Sequence, residues 1–182
     1  MKHDNCGKRL AYELAEELLS YSPTTGSLSW KISRSSRSKK DGEAGTVSSS
    51  GYKIIGVSIN KKQYLLKAHR IAWFIYHKEM PPSIIDHING DKLNNEISNI
   101  RSCTQQQNQM NRPKLQNNTS GYKGVSWASD RKKWRAHIRY NNKLIHIGQF
   151  DCPKEASKAY EDKASELFGE FKFNKNKNKE II

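Results

Sequence analysis

Cysteine is scarce in this chain of 182 residues, which contains only Cys6, Cys103 and Cys152. No two of them form a C-x-x-C pair, so the spacing argues against a cysteine-based zinc site, and an odd, small number fits a reducing cytoplasm. Long apolar runs are missing as well. The N-terminus lacks the apolar core of a signal peptide, and no run approaches the ~20 apolar residues of a membrane-spanning helix.

Acidic residues are also few: 18 Asp and Glu stand against 32 Lys and Arg, which gives a net charge of +14. Apolar residues make up only 35%, yet four Trp, eight Tyr and five Phe argue against wholesale disorder. A positive surplus of this size predicts a polyanionic partner, usually nucleic acid; a basic protein without a dedicated partner is the alternative. The length predicts one or two small domains.

Short periodic segments alternate with turn-rich ones along the chain. Leucines at spacing four predict a helix over 10–19, and two strands are expected over 52–59 and 63–68. An apolar helix is expected from His69 until a pair of prolines stops it. The segment 31–40 is strongly basic and is either a phosphate-contacting loop or a solvated hairpin tip.

Turn-forming residues indicate where the domains divide. The polar joint RPKLQNNTS, which contains Pro113, is the best candidate for a boundary. Thr104 and Gln107 have capping-box spacing and predict a helix that starts just before this joint. We expect, in chain order, an N-terminal helix and β-rich extension over 1–68, a core over 69–112, the joint over 113–119, a second domain over 120–174 and a basic tail over 175–182.

The stretch IIDHINGDKLNNEISNIR, residues 84–101, concentrates side chains that could hydrolyse a phosphodiester. Such a reaction needs a base that works near neutral pH, and a divalent ion can stabilise the developing charge. Mg²⁺ and Mn²⁺ prefer carboxylate and amide oxygens. Neighbours in an extended segment point to opposite sides, so Asp86 could hold metal while His87 faces the water. Asn108 could be a second ligand, and Asn99 could hydrogen-bond the loop and hold His87 in place.

A polar, turn-rich loop would contain many of the same residues, because Asp and Asn populate turns through local hydrogen bonds. We interpret Asn94 and Asn95 as ordinary loop residues of this kind. His69 is expected to be structural, whereas Arg70 could reach a phosphate. The full set Asp86, His87, Asn99 and Asn108 at these spacings favours the catalytic interpretation.

The middle of the chain, from about 20 to 112, resembles the HNH homing endonucleases of phages. The resemblance is carried by the segment AHRIAWFIYH…PPSIIDHINGDKLNNEISNIRSCTQQQNQMN. The resemblance implies a ββα-metal finger in which Asp86 and Asn108 are metal ligands, His87 is the general base and Asn99 orients His87. Asn108 thus occupies the final position of the H-N-H motif, where the name of the family has a histidine. This variant occurs in the phage branch and favours Mg²⁺ or Mn²⁺ over zinc. A homing role in a phage genome or group I intron, in the cytoplasm of a bacterial host, is also implied.

Apolar and basic side chains alternate along the strand predicted around 134–140. Trp134 and Tyr140 share one face with the small apolar residues between them, whereas Arg135, His137 and Arg139 lie on the other face. A two-residue Asn-Asn turn leads to the next strand, and a helix over about 153–167 covers the apolar face. The basic face could enter a DNA major groove or be an ordinary solvated surface.

This C-terminal region resembles the AP2 DNA-binding domain through GYKGV, KWRAHIR, HIGQFD and EASKAYEDKASELFGEF. The resemblance implies a three-stranded antiparallel sheet packed on one helix and lying in the major groove. Ser126 and His146 stand where plant domains usually have Arg and Trp, so the plant target sequence does not transfer. Trp127 could be core or face DNA. The candidate DNA contacts are Lys123, Ser126, Arg131, Lys133, Arg135, His137, Arg139 and His146.

Taken together, these patterns predict an α+β protein with a ββα-metal nuclease region, an N-terminal β-rich extension and a C-terminal AP2 domain. The expected function is a sequence-directed DNA endonuclease of the homing type that uses one Mg²⁺ or Mn²⁺. Double-stranded DNA is the expected partner of a monomer or weak dimer that needs no obligate protein partner. Two alternatives stay open: a non-catalytic DNA-binding regulator of the AP2 type, and a structure-specific recombination or repair nuclease.

Overall fold

The computed structural model describes residues 5–33, 35, 38–112 and 118–173, and it has a mixed α and β fold. Packing divides this part of the chain into two units, the first reaching Cys103 and the second beginning at Thr104. The division falls earlier than the joint expected at 113–119, and the domain limits stay a prediction. Residues 113–117, the tail 175–182 and positions 34, 36 and 37 of the basic segment lie outside the described residues.

The first unit contains two helices and three small antiparallel sheets among its described residues. The sheets pair β1 with β2, β3 with β4 and β5, and β6 with β7. A 3₁₀ turn at Ile97–Asn99 precedes the last strand. The elements are α1 (Asn5–Leu18), β1 (Leu19–Tyr21), β2 (Leu28–Trp30), β3 (Thr46–Val47), β4 (Lys53–Ile59), β5 (Lys62–Lys67), α2 (Ala68–His77), β6 (Ile85–His87) and β7 (Ile100–Ser102).

Helix α1 is present where the leucine spacing predicts it, and Leu14 and Leu18 pack against the core. Leu10 is 46% exposed, whereas Ala11, Tyr12 and Ala15 are buried. The small alanines let α1 approach α2 and β4 closely, and Tyr12 stacks on Phe74 of α2 with ring centroids 5.4 Å apart. The predicted helix is therefore confirmed, and small residues and Tyr12 contribute to its packed side along with the leucines.

Arg70 ties α2 to the segment that leads into β6. Its guanidinium donates to the Tyr12 hydroxyl at 3.1 Å and to the backbone oxygens of Pro82 and Pro81 at 2.9 and 3.2 Å. These bonds engage the fork-shaped group within the fold. Arg70 thus has a structural role, joining α2 to the segment before β6. Its placement gives no support to the alternative of a phosphate contact.

The β1–β2 hairpin supports the loop between β6 and β7. The Tyr21 hydroxyl donates to the Asn95 backbone oxygen at 2.8 Å, and the Ile97 N–H donates to the Pro23 oxygen at 3.0 Å. Gly26 has a φ of +69°, and a Cβ at this position would lie 2.5 Å from the Asn95 carbonyl carbon. Only glycine allows the two backbones to approach so closely.

The second unit is a three-stranded antiparallel sheet in the order β10-β9-β8, covered on one face by a helix. Met110, Ile138, Tyr160 and Phe168 form its core. The predicted sheet and helix are confirmed, and membership of the AP2 family stays a prediction. The elements are α3 (Gln105–Met110), β8 (Val125–Ala128), β9 (Lys133–Tyr140), β10 (Lys143–Phe150) and α4 (Pro153–Phe168).

Local sequence signals account for the ends of several elements in the second unit. Thr104 and Gln107 form the expected capping box at the start of α3. Asn141 and Asn142 have φ angles of 49° and 61°, as a two-residue hairpin turn requires. Trp127 is 49% exposed but pairs directly with Trp134, so it lies on the helix-covered side of the sheet.

No helix within the described ranges combines the length and the apolarity that crossing a bilayer requires.

Replacing Gly26 by Ala should lower the free energy of unfolding by at least about 2 kcal/mol, because the new Cβ meets backbone atoms in a left-handed conformation. Urea denaturation measures the change. Gly51→Ala is the matched control: its φ is +80°, but the nearest atom to a new Cβ is the Lys92 Cδ at 3.6 Å. It should cost about 1 kcal/mol. Equal losses in both variants would contradict the close approach at Gly26.

Candidate active site

Asp86 and His87 lie side by side on β6, and each is only 5% exposed. The antiparallel register sets Asp86 opposite Arg101 and His87 opposite Ile100. Arg101 donates to the Asp86 Oδ2 from Nη2 at 3.0 Å and from Nε at 3.1 Å. This ion pair fixes the carboxylate, because a guanidinium fork holds an acceptor in a set direction.

Arg101 was not among the residues singled out from the sequence. The signal was present, since Arg101 ends the same N-I-R motif that contains Asn99. The sequence alone does not predict the register in which β6 pairs with β7, and this register sets Arg101 opposite Asp86.

The His87 imidazole is held by the loop that follows it. Its Nε2 lies 3.2 Å from the Asn95 Oδ1. Burial lowers the pKa of His87, and the Asn95 hydrogen bond and the Asp86 charge partly oppose this effect. A neutral imidazole at neutral pH is the form that can accept a proton from water.

Two further rings pack against His87. The His69 ring meets it edge to face with centroids 4.9 Å apart, and Tyr52 lies 5.2 Å from His69 and 6.0 Å from His87. Burial, followed by the charge of His87, lowers the pKa of His69 to about 2. His69 is buried, as a structural role requires, yet it also packs against the candidate base. Nothing local in the sequence indicates that Tyr52 joins this cluster.

Two lysines bring positive charge to the edge of the ring cluster. The ammonium groups of Lys67 and Lys92 lie 4.1 and 4.8 Å from the centre of the Tyr52 ring, and both residues are exposed. Lys92 also donates to the Ser50 backbone oxygen at 2.9 Å. Cation–π contact holds both groups over the ring, where an approaching phosphate would meet them.

Asn99 closes the loop between β6 and β7. Its side chain is fully buried; Oδ1 accepts from the Asn89 N–H at 3.1 Å and Nδ2 donates to the Asn94 backbone oxygen at 2.8 Å. Its backbone oxygen accepts from Ile88 at 2.8 Å. Asn99 thus bonds the loop as expected, and its role in orienting His87 stays a prediction. Asn95, interpreted from the sequence as a loop residue, is the asparagine beside the imidazole.

The sequence around this hairpin matches known proteins. Residues 66–110 match the family model described as HNH endonuclease. Protein 3.8 of Escherichia phage T7 is 33% identical over 106 residues, which cover 58% of this chain and 87% of that protein. The chain contains an HNH endonuclease domain.

Two other similar proteins share less of their length with this chain. The uncharacterized HNH endonuclease L560 of Acanthamoeba polyphaga mimivirus is 34% identical over 108 residues, or 58% of this chain and 55% of that protein. A solved structure titled DNA binding and cleavage by the HNH homing endonuclease I-HmuI is 24% identical with a TM-score of 0.35. That match covers 48% of this chain and 47% of the other, and a TM-score so low carries no weight for fold or function.

The metal ligands implied by the HNH motif lie on different elements. Asp86 is on β6, and Asn108 is half-buried on α3, in the second unit. Their sharing of one ion stays a prediction. Among the described residues, no group of three or more His, Cys, Asp or Glu could hold a metal. The two predicted ligands are a carboxylate oxygen from Asp86 and an amide oxygen from Asn108. Oxygen donors of this kind fit Mg²⁺ or Mn²⁺, and the other coordination positions would be left for water and phosphate.

One sheet face of the second unit carries most of the predicted DNA contacts of this HNH protein. Arg135 and Arg139 are exposed on β9, and His137 lies between them, opposite His146 of β10. Arg135 also pairs with Ser126 of β8, which places these side chains on the face away from α4. Among the residues that the structure describes, Ser126 Oγ and His137 Nδ1 are shielded from solvent and have no hydrogen-bond partner.

The three predicted lysine and arginine contacts outside this face have different surroundings. Arg131 and Lys133 flank the β8–β9 turn and lie 3.7 and 3.1 Å from carboxylate oxygens of Asp130 and Asp151. Lys123 instead donates to the backbone oxygens of Met110, at 3.0 Å, and Arg112, at the end of α3. Burial lowers the pKa of Lys123 to about 8, and the two hydrogen bonds hold its ammonium at the end of α3.

The buried His69 should make the stability of this HNH protein depend on pH. Its folded pKa of about 2 lies below the unfolded value of 6.5, so between these limits the unfolded chain binds the extra proton. Stability is therefore complete above pH 6.5 and falls by roughly 1 kcal/mol per pH unit below it. Urea denaturation between pH 4.5 and 7.5 should show a flatter pH dependence for His69→Gln than for the wild type. Identical slopes would contradict the assignment.

Proposed function

We propose that this chain is a DNA endonuclease that hydrolyses phosphodiester bonds with one divalent ion, using His87 as the general base. The observation that carries the proposal is the pair of buried neighbours on β6, a carboxylate fixed by Arg101 and an imidazole whose pKa is lowered by burial. Both lie within the segment that the HNH endonuclease model matches. HNH nucleases generally depend on a divalent metal, which fits this pair.

Each residue then has a defined part in the reaction. Asp86 would hold Mg²⁺ or Mn²⁺, and Asn108 is proposed as the second oxygen ligand on the motif alone. When bound, the ion supplies positive charge for the phosphate and the leaving oxygen. His87 takes a proton from water, and the resulting hydroxide forms a bond to phosphorus. The bond to the 3′ oxygen breaks, that oxygen takes a proton from solvent, and the products carry 5′ phosphate and 3′ hydroxyl.

Positive groups near the hairpin suit a polyanionic substrate. Lys67 and Lys92 flank Tyr52, whose ring packs on His69 and His87. Ammonium groups at this edge would contact the phosphates on either side of the bond to be cut. Such contacts position the strand and carry no sequence information, so target choice must come from elsewhere in the protein.

We further propose that the outer sheet face of the second unit provides targeting in the manner of an AP2 domain. A β-ribbon fits the major groove, where Arg135 and Arg139 could contact guanine or phosphate. His137, His146 and Ser126 would face the same groove, with Arg131 and Lys133 on the backbone. Because Lys123 is engaged at the end of α3, we do not assign it to DNA.

A homing role in a phage genome is the biological setting that we propose. The phage T7 relative supports a phage context. The protein would then act in the cytoplasm of a bacterial host, as a monomer or weak dimer. A monomer with one such site would nick its target, and a double-strand cut would require two copies or two successive nicks.

Removing the side chain of either His87 or Asp86 should severely reduce cleavage. His87→Ala is expected to slow nicking of supercoiled plasmid by about 100- to 10,000-fold, because general-base catalysis contributes that much. Asp86→Ala should remove the response to Mg²⁺ or Mn²⁺. DNA binding, measured by gel shift, should persist in both variants.

His77→Ala is the matched histidine control, since His77 is exposed at the far end of α2 and packs on Trp73. It should nick at the wild-type rate. A wild-type protein that binds plasmid but gives no nicked product with either ion would contradict the enzyme and favour the DNA-binding regulator.

The outer sheet face is tested by removing its two arginines together. Arg135→Ala with Arg139→Ala should weaken duplex binding by at least about 10-fold and flatten its dependence on salt. Fluorescence anisotropy at several salt concentrations measures both effects. Lys154→Ala with Lys158→Ala removes the same charge from exposed positions of α4. An equal loss in this control would contradict specific use of the sheet face.

A further inference from the structure

Asn95 occupies a buried position next to the candidate base, although the HNH motif assigns it no role. It is the second asparagine of the L-N-N stretch, it is 2% exposed, and its Oδ1 lies 3.2 Å from the His87 Nε2. Its neighbour Asn94 uses its side chain for a local turn, where Oδ1 accepts from the Glu96 N–H at 3.0 Å. The two adjacent asparagine side chains therefore make different contacts: that of Asn94 stabilises a local turn, and that of Asn95 contacts the imidazole.

The orientation of the Asn95 amide is fixed by a second hydrogen bond. Its Nδ2 donates to the Leu93 backbone oxygen at 3.2 Å, and a carbonyl oxygen can only accept. The opposite atom of the amide, Oδ1, must then face the imidazole. Because Oδ1 is itself only an acceptor, the His87 Nε2 must carry the hydrogen of this contact.

We propose that Asn95 is the positioning residue that holds His87 as the Nε2–H tautomer and so directs Nδ1 to take the proton from water. Neutral imidazole carries one N–H hydrogen, and the contact with the Asn95 Oδ1 keeps that hydrogen on Nε2, so the lone pair is on Nδ1. Asn99 acts indirectly, because its side chain bonds the backbone of the loop that carries Asn95. This inference rests on the proposed function of His87 as the base.

The N-terminal extension keeps Asn95 in place. The Tyr21 hydroxyl donates to the Asn95 backbone oxygen at 2.8 Å, and the turn at Gly26 packs against the backbone of Asn95 and Glu96. The Asn95 side chain is thus fixed at both its backbone and its amide, which leaves Oδ1 little freedom to turn away from the ring. Precise placement of a base by such supporting groups is what proton transfer needs.

The direct test is the tautomer of His87 in the full-length protein, read by long-range ¹H–¹⁵N NMR of the imidazole rings at pH 7.5 without DNA or metal. The chain has six histidines, and the signals missing from a His87→Gln spectrum identify those of His87. The wild type should show hydrogen on Nε2 and a lone pair on Nδ1. Asn95→Ala should shift the ring toward the other tautomer or a mixture. Asn95→Asp, which keeps an acceptor there, should retain the wild-type form.

Cleavage kinetics provide the second readout. Asn95→Ala should lower kcat by about 100-fold, because the base is held less well, and should change KM by less than about twofold. Asn94→Ala is the matched control: it removes an asparagine side chain from the same turn without touching the imidazole. It should keep the wild-type tautomer and kcat.

Either of two results would overturn the proposal directly: hydrogen on Nδ1 of wild-type His87, or a wild-type tautomer and kcat in Asn95→Ala. A third result concerns the control variant. The same change in Asn94→Ala as in Asn95→Ala would also overturn the proposal, since it would assign the effect to the loop as a whole. If Asn95→Ala does not fold, the wild-type and Asn95→Asp spectra decide. Because the NMR measurement uses neither DNA nor metal, a protein that fails to cut would refute the proposed function and leave this test intact.

Discussion

The candidate site depends on the pairing of two three-residue strands, β6 and β7, in which the polar side chains of Asp86 and His87 are buried. Burying Asp86 is costly without a partner, and the register supplies Arg101 directly opposite. The same pairing brings the ends of the intervening loop together, where Asn99 bonds both sides of it. A shift of one residue would turn every side chain of the hairpin to the other face and separate the carboxylate from its guanidinium.

The N-terminal extension and helix α2 together support this hairpin. The β1–β2 turn packs on the loop at Asn95 and Glu96, Arg70 ties α2 to the entry of β6, and α2 carries His69 against His87. The hairpin that carries Asp86 and His87 is short, with only three residues in each strand. The position of its loop therefore depends on contacts with neighbouring elements that contribute none of the candidate catalytic side chains.

Local features of the structure could be predicted from the sequence, and contacts between distant residues could not. The capping box at Thr104 and the Asn141–Asn142 turn each depend on residues within four positions, and both are present. The contact of Tyr52 with His87 joins residues far apart in the chain, so no local pattern predicts it. The choice between Asn95 and its neighbours is equally hidden, because all of them favour turns and only the path of the loop decides which one meets the ring.

In the proposed reaction, this hairpin hydrolyses DNA by attack of water on phosphorus with departure of the 3′ oxygen. The most direct measurement is the chemistry of the ends in plasmid nicked by the purified protein with Mg²⁺ or Mn²⁺. We expect the nick to be resealed by DNA ligase without prior treatment, because the ends should be 5′ phosphate and 3′ hydroxyl. Nicks that reseal only after phosphatase and kinase treatment would contradict this account.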